Sequence, residues 1–169
     1  MELRGRQVTL RSTVPGDAGV LAAILSEPEV ASWWGEFDLE RVTAELIVGD
    51  PEELPFVIER DGEVIGYIQA VEENEPDFRS AGIDLFLRAD AQGRGLGPDA
   101  ILTLAAHLID DRGHHRLTID PAAHNLRAIA AYAKIGFRPI GVMRQYQRMT
   151  DGHWVDALLM DLLAGELVR

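Results

Sequence analysis

A glycine-rich segment, Gln92-Gly93-Arg94-Gly95-Leu96-Gly97, separates an apolar run from a longer amphipathic stretch. Glycines let a backbone turn tightly and approach a ligand without a Cβ in the way. The first turn of a helix leaves amide N–H groups unpaired, and together with the helix dipole they form a site for anions such as a pyrophosphate. A cation at Arg94 would add a charge-assisted contact. The segment therefore predicts a phosphate-binding turn, with a simple strand-to-helix turn as the alternative.

Two familiar phosphate loops do not fit this segment. The Walker pattern requires Lys followed by Ser or Thr after its last glycine, whereas Pro98-Asp99 follows here. The dinucleotide fingerprint spaces its last two glycines three residues apart, whereas Gly95 and Gly97 are two apart.

An acidic residue, Asp84, lies inside the apolar run 81–87. A carboxylate in a buried strand is costly unless something satisfies it. Either the strand end reaches solvent or Asp84 is a general base that takes a proton from a substrate.

A second candidate binding face lies on the stretch 125–134. Asn125, Ala128 and Tyr132 are spaced i, i+3 and i+7, so on a helix they share one face. This face carries an amide and a phenol with a small alanine between them, and it suits an extended ligand. Another stripe is apolar and is predicted to face the core: Leu126, Ile129, Ala130 and Ala133.

These residues need a scaffold of alternating strands and helices. The predicted strands are 7–11, 56–59, 64–71, 81–87, 117–120, 142–146 and 154–159. The predicted helices follow Pro15 and Asp38 and cover 95–111 and 125–134, the last ended by Gly136. Asp61-Gly62 is a strong hairpin signal. This order predicts an α/β fold, a mixed sheet flanked by helices, in a single domain over residues 1–169.

Composition narrows the function classes. The chain has 169 residues and no cysteine, which excludes disulfides, thiolate zinc sites and cysteine nucleophiles. Its net charge of −12 disfavours nucleic acid and anionic membranes as partners and favours cations, although the charge also serves solubility. His114-His115 has no partner ligands at suitable spacing, so no metal is expected. No apolar stretch suggests a signal peptide or a membrane span, and a cytoplasmic location is expected.

The two motifs together resemble the GNAT superfamily of N-acetyltransferases. The segment Gln92-x-x-Gly95-x-Gly97 looks like its pyrophosphate signature, and Asn125 to Phe137 looks like its second cofactor-contacting helix and the strand that follows. The resemblance implies acetyl-CoA as cosubstrate. It also implies cofactor contacts from these residues: Phe86, Leu87, Gln92, Gly93, Arg94, Gly95, Leu96, Gly97, Pro98, Asn125 and Tyr132.

A narrower resemblance is to bacterial aminoglycoside 6′-N-acetyltransferases. It is carried by Glu29-Val30-x-x-Trp33-Trp34-Gly35, by Gly82-Ile83-Asp84, by the glycine-rich turn and by Asp120-Pro121 leading into Asn125. The resemblance implies that Asp84 is the catalytic base and Tyr132 the catalytic acid. It further implies a cationic small-molecule acceptor, with these substrate-binding residues: Trp33, Trp34, Asp84, Asp120 and Asp151.

Two features of the acceptor site have open alternatives. Glu72, at the start of an acidic loop, is a candidate substrate-binding residue, or the loop is merely a solvated turn. The tryptophan pair either packs on a sugar ring or packs within the helix region. A related acetyltransferase that acts on a protein N-terminus or a siderophore hydroxylysine is the second hypothesis, and a silent acetyl-CoA-binding module is the third. The sequence is compatible with a monomer or a homodimer.

Overall fold

The computed structural model describes all 169 residues, and one sheet runs through it. Its strands are β1 (Glu2–Arg4), β2 (Thr9–Ser12), β3 (Glu53–Arg60), β4 (Glu63–Glu73), β5 (Ser80–Leu87), β6 (Arg116–Ile119), β7 (Arg138–Arg148) and β8 (Trp154–Leu163). The sheet has eight strands in the order β1-β2-β3-β4-β5-β6-β8-β7. All neighbours are antiparallel except β5 and β6, so the predicted mixed sheet is confirmed.

Five α-helices cover the sheet: α1 (Ala18–Leu25), α2 (Pro28–Trp34), α3 (Leu39–Val42), α4 (Leu96–Asp110) and α5 (Leu126–Ile135). A wider π-helical turn, Thr43–Val48, continues α3. Asp38 caps α3 by accepting a hydrogen bond from the Arg41 N–H at 2.8 Å. No helix combines the length and apolar character needed to cross a bilayer.

The core has two parts, one on each face of the sheet. The larger part joins one side of β2–β6 and β8 to α4, whose Ile101, Leu104 and Leu108 are fully buried. The smaller part joins α1, α2 and α3 to Val57, Tyr67 and Phe86. The helix predicted over 95–111 is thus confirmed, and its central residues face the core.

The sheet splits in its middle. The parallel pair β5–β6 holds only Ala81↔Leu117 and Gly82↔Thr118 in register. Beyond Gly82 the two strands diverge, and the backbone groups on that edge of β5 have no neighbouring strand. Because backbone donors and acceptors need partners, this edge is suited to pair with a ligand.

The Asp61-Gly62 turn is confirmed as a tight hairpin. Asp61 has φ 53° and Gly62 has φ 81°, the left-handed pair that a two-residue turn of this kind requires. The sequence patterns missed β1 and α2, which are only three and seven residues long. Elements this short give little periodic signal.

The predicted core face of α5 was right only at Ile129. Leu126 is 72% exposed, and Ala130 and Ala133 are exposed as well. The helix packs through Ile129, the ring of Tyr132, and Ile135. The face with the candidate functional residues therefore overlaps the packed face, and an apolar residue near the helix start is left on the outside.

Candidate active site

A cleft of about 770 Å³ opens where β5 and β6 diverge. Its walls come from the end of β5, the glycine-rich turn, α5, α2, β7 and the loop after β6. At this cleft the free backbone edge of β5, the N-terminus of α4 and the predicted acids Asp84 and Asp120 come together.

The glycine-rich turn forms one end of the cleft. Gly93 and Gly95 have φ values of 74° and 79°, where a side chain would strain the backbone. Gln92 Nε2 donates to the Leu87 carbonyl at 3.0 Å, which ties the turn to the end of β5. Gly95 is the N-cap of α4, so the unpaired amides of the first helical turn lie beside this end of the cleft. The arrangement can hold a phosphate or pyrophosphate.

Arg127 adds a cation to this end, which the sequence patterns had not singled out. Its guanidinium lies against Gly93 so closely that a Cβ there would collide with it, and it lines the cleft. Arg127 lies in the first turn of α5, next to the face on which Asn125 and Ala128 lie. The signal in the sequence was a positive residue inside the recognised Asn-Leu-Arg motif.

Helix α5 forms the opposite wall as expected. Asn125, Ala128 and Tyr132 all line the cleft. Asn125 also caps the helix, since its Oδ1 accepts a hydrogen bond from the Ala128 N–H at 3.2 Å. Burial, followed by the charges of Asp84 and Asp120, raises the pKa of the Tyr132 hydroxyl. The hydroxyl therefore stays protonated and can act as a proton donor.

Asp84 lies just past the last residue pair that joins β5 to β6. It is open to the cleft, so a charge in the middle of an apolar strand is tolerated. Protein atoms nonetheless crowd its carboxylate. This loss of hydration, followed by the charge of Asp120, raises the pKa of Asp84 to about 7, against the lowering effect of the Leu85 N–H. A carboxylate of that pKa can exchange protons near neutrality.

Carboxylates collect at the acceptor end of the cleft. Asp120 follows β6, and Glu29 comes from α2. Glu29 was not predicted as a site residue, although it stands one helical turn before Trp33. Together with Asp84 they give this end a negative field, which attracts cations.

The comparisons with known proteins agree with this geometry. Residues 21–137 match the model of the acetyltransferase (GNAT) family. The chain belongs to the GNAT family. It is 30% identical over 155 residues to aminoglycoside N(6′)-acetyltransferase type 1 of Klebsiella pneumoniae, covering 80% of this chain and 76% of that relative. It is also 30% identical over 118 residues to spermidine N(1)-acetyltransferase of Escherichia coli strain K12, covering 67% of this chain and 60% of that relative.

A solved structure is similar along almost the whole length. AAC(6′)-Ib in complex with Parmomycin and acetyl-CoA superposes with a TM-score of 0.79 at 29% identity, covering 96% of this chain and 98% of that one. The present protein is an acetyl-CoA-dependent N-acetyltransferase with the single-domain α+β GNAT fold.

In this GNAT protein most of the predicted cofactor residues line one continuous surface. Gln92, Gly93, Gly95, Gly97 and Pro98 line the cleft. Arg94 is exposed and does not line it, and Leu96 is buried in the core.

The two residues that end β5 are both buried and part of the cleft wall. Phe86 and Leu87 are largely buried, yet both lie along the cleft wall. Their side chains hold the strand in the core while its free edge remains accessible.

The two neighbouring tryptophans of the acetyltransferase, Trp33 and Trp34, make different contacts. Trp34 packs edge-on against Phe86 with ring centroids 4.9 Å apart, so helix packing explains most of its contacts. Trp33 stacks on His124 at 5.2 Å. Both tryptophans line the cleft, and Trp33 is the one whose contacts lie on the acceptor side.

Glu72 does not belong to the cleft, which corrects the prediction of a substrate role. Its carboxylate is buried and accepts hydrogen bonds from Arg112 Nε at 2.7 Å and from His114 Nε2 at 2.6 Å. The Arg112 guanidinium holds the pKa of Glu72 below its usual range. Glu72 fastens the end of β4 to the segment after α4, and the remaining acidic loop is exposed.

Asp151 also lies outside the cleft lining. It sits at the tip of the β7–β8 hairpin, where it accepts from the His153 N–H at 3.0 Å and pairs with the His153 ring at 3.1 Å. The tip of the hairpin does not reach the cleft lining, and Tyr146 and Gln147 of β7 line the cleft instead. No cluster of three or more His, Cys, Asp or Glu side chains is placed to hold a metal ion.

Proposed function

We propose that this enzyme is an aminoglycoside N-acetyltransferase of the 6′ type, which transfers acetyl from acetyl-CoA to an amino group of an aminoglycoside. The observation that carries the proposal is the pair Asp84 and Asp120 at one end of the cleft. The charge of Asp120 helps to raise the pKa of Asp84 to about 7. A cation bound beside both carboxylates favours the ionised form of Asp84.

The donor substrate would lie along the length of the cleft. In this proposal the glycine-rich turn and Arg127 hold the pyrophosphate of acetyl-CoA. Its pantetheine arm runs between the free edge of β5 and the Asn125–Tyr132 face of α5. Backbone donors of that free edge would also hydrogen-bond the oxygen that becomes negative in the transition state.

The chemistry then needs only two side chains. Asp84 accepts a proton from the acceptor's ammonium group, directly or through water, and the free amine attacks the thioester carbonyl. The new C–N bond forms and the C–S bond breaks. The Tyr132 hydroxyl gives its proton to the departing thiolate, and the second proton that leaves the nitrogen passes through water to the Tyr132 oxygen, while Asp84 releases its proton to solvent. Direct attack in a ternary complex needs no covalent enzyme intermediate.

Electrostatics suit a polycationic acceptor. One charge pair at about 4 Å interacts by roughly 4 kcal/mol at an effective dielectric of about 20, before desolvation. The carboxylates of Glu29, Asp84 and Asp120 would orient an acceptor that has little apolar surface to bury. The similarity to an aminoglycoside N(6′)-acetyltransferase over 80% of the chain supports this substrate class.

A polyamine is the second candidate acceptor. The same acidic end would bind a flexible chain of ammonium groups, and a spermidine acetyltransferase is similar over 67% of the chain. The aminoglycoside is preferred because its relative covers more of the sequence.

The experiment is a thiol-release assay with acetyl-CoA and a panel of acceptors. The panel contains a matched pair of aminoglycosides that differ only in a 6′-amino or a 6′-hydroxyl group, together with spermidine, an alanine-terminated peptide and hydroxylysine. We expect turnover of the 6′-amino compound and little of its 6′-hydroxyl partner. Turnover of spermidine or the peptide without any aminoglycoside would overturn the proposal.

A further inference from the structure

Strand β7 contains an irregularity near the acceptor end of the cleft. Its pairing with β8 is regular at Met143↔Ala157 and resumes at Gln147↔Val155, so residues 144–146 lie opposite Asp156 alone. Gln145 in this bulge has φ 48°, in the left-handed region that residues other than glycine seldom adopt. Bulges change the direction in which a strand's side chains project.

Asp156 holds the bulge and the neighbouring loop together. Its Oδ1 accepts a hydrogen bond from the Gln145 N–H at 2.8 Å. Its carbonyl accepts from the Ala123 N–H, also at 2.8 Å. Ala123 belongs to the loop that begins at Asp120, so one residue fixes the bulge relative to that carboxylate.

The bulge places two side chains in the cleft. Tyr146 and Asp120 line the same cleft, and the interaction with that carboxylate, followed by burial, raises the pKa of Tyr146 to about 12. Gln147 Nε2 donates to the Trp33 carbonyl at 2.6 Å and so connects β7 to α2. The acceptor end is thereby bounded by α2, the bulge and the Asp120 loop.

We propose that Tyr146 is an acceptor-positioning residue, delivered by the β7 bulge. When the acceptor is bound, the Tyr146 hydroxyl would donate to one oxygen of Asp120, limit the carboxylate's rotation and leave the other oxygen for an ammonium group of the acceptor. The inference rests on the proposed function, because it assumes an acceptor with more than one ammonium group. Acceptors with a second ammonium group benefit from this arrangement, whereas a simple monoamine does not.

The test is steady-state kinetics of Tyr146→Phe with a multiply charged aminoglycoside and with a monoamine acceptor. We expect the aminoglycoside KM to rise about tenfold, which corresponds to ~1.4 kcal/mol. We expect kcat to change less than threefold and the KM for acetyl-CoA to stay the same. In an Asp120→Asn background, the added Tyr146→Phe change should have no further effect on KM.

Matched variants of the bulge separate positioning from folding. Gln145→Gly keeps the backbone N–H and accepts a positive φ, so it should behave like the unchanged protein. Gln145→Val opposes that φ and should reproduce the Tyr146→Phe effect. Asp156→Ala should do the same, and Asp156→Asn, which keeps an acceptor oxygen, should restore the normal KM. Thermal unfolding of each variant checks that it is folded.

Three outcomes would overturn the inference. One is a loss in kcat with an unchanged aminoglycoside KM, which would assign Tyr146 to proton transfer. Another is an equal Tyr146→Phe effect with and without Asp120. The third is an unaltered KM in a folded Tyr146→Phe variant. These differ from a failure of the proposed function. If the unchanged protein turns over spermidine but no aminoglycoside, the proposed function falls and the Tyr146→Phe kinetics are measured with spermidine. If it turns over no multiply charged acceptor, both proposals fall.

Discussion

Asp84 is the residue on which the proposed chemistry depends. Its pKa of about 7 follows from burial and from the charge of Asp120, so it is protonated in acid and ionised above neutrality. Only the ionised form can take a proton from the acceptor. Since the pKa values of catalytic groups appear in the pH dependence of the rate, the pKa of Asp84 should appear in the pH–rate profile.

We expect kcat/KM for the acceptor to rise with pH through about 7 and Asp84→Asn to remove that rise. The same variant should lower kcat by about a hundredfold or more, the contribution of a positioned general base. Initial rates between pH 5.5 and 9, roughly spanning this pKa, measure both effects. An unchanged kcat would remove Asp84 from the base role. Asp77→Asn, on the exposed acidic loop, is the control.

The same shift also affects stability. The pKa of Asp84 is raised from 3.8 to about 7 on folding, so between these values the folded chain binds more protons than the unfolded chain. Stability from this group is therefore lost as the pH rises through that range. Asp84→Asn should raise the Tm at pH 8 more than at pH 5, as differential scanning calorimetry can measure, whereas Asp77→Asn should not show this trend. An equal effect of Asp84→Asn on Tm at both pH values would contradict a raised pKa of Asp84 in the folded chain.

Residue types and short motifs were enough to single out the two residues to which the proposal gives catalytic roles. Asp84 was conspicuous because an acid interrupts an apolar strand, and Tyr132 because of its spacing from Asn125. Glu29 and Tyr146 were missed because their roles depend on which distant segments meet. Tyr146 lies in the cleft because of the bulge in β7, and no local sequence pattern predicts a bulge at Gln145.

Helix α5 combines packing, capping and ligand binding at the scale of one element. It buries Ile135 and Ile129 on one side, is capped by Asn125, and presents Arg127 to the glycine-rich turn. The turn supplies amides and α5 supplies the nearby cation. An anion held between them is contacted by two elements that are distant in sequence.

We therefore expect Arg127→Ala to raise the Kd for CoA about ten- to a hundredfold, the scale of a charge-assisted hydrogen bond. Arg94→Ala is the matched control, because Arg94 is exposed and does not line the cleft. Isothermal titration with CoA compares the two variants. Equal weakening by both would mean that general positive charge matters more than the position of Arg127.

Glu72 shows why an element's neighbours decide what its residues do. Its position in an acidic run suggested a solvent-facing substrate contact. The end of β4 instead meets the segment after α4, where Arg112 and His114 take up the carboxylate. The contact between β4 and the segment after α4 is long-range in sequence, so local residue spacing cannot predict it.

The whole molecule carries a net charge of −12, and part of that charge is concentrated in the cleft. Glu29, Asp84 and Asp120 come from three separate elements and are brought together by the divergence of β5 and β6. The Asp61-Gly62 hairpin and the helices α4 and α5 were predictable from local signals, and so was the mixed sheet. The divergence of β5 and β6 was not predictable, because it depends on how many residue pairs these two parallel strands form.

Salt should therefore affect the two substrates differently. Screening weakens partly exposed charge pairs, with a Debye length of about 10 Å at 0.1 M. We expect the KM of a polycationic acceptor to rise severalfold between about 0.05 and 0.5 M NaCl, a range in which the Debye length falls by about a factor of three. A monoamine acceptor measured in parallel should show a smaller rise. A salt-independent KM for the polycation would argue against binding by the carboxylates.

The short β5–β6 pairing gives the sheet two panels, joined by two residue pairs. β1–β5 make one panel, and β6, β8 and β7 make the other. Acetyl-CoA lying in the gap would span the panels as an additional strand does, with the donor substrate supplying partners that the protein backbone lacks there. The diverging ends of β5 and β6 would then be bridged only while the ligand is bound, and the free edge of β5 would lose its partner again each time CoA departs.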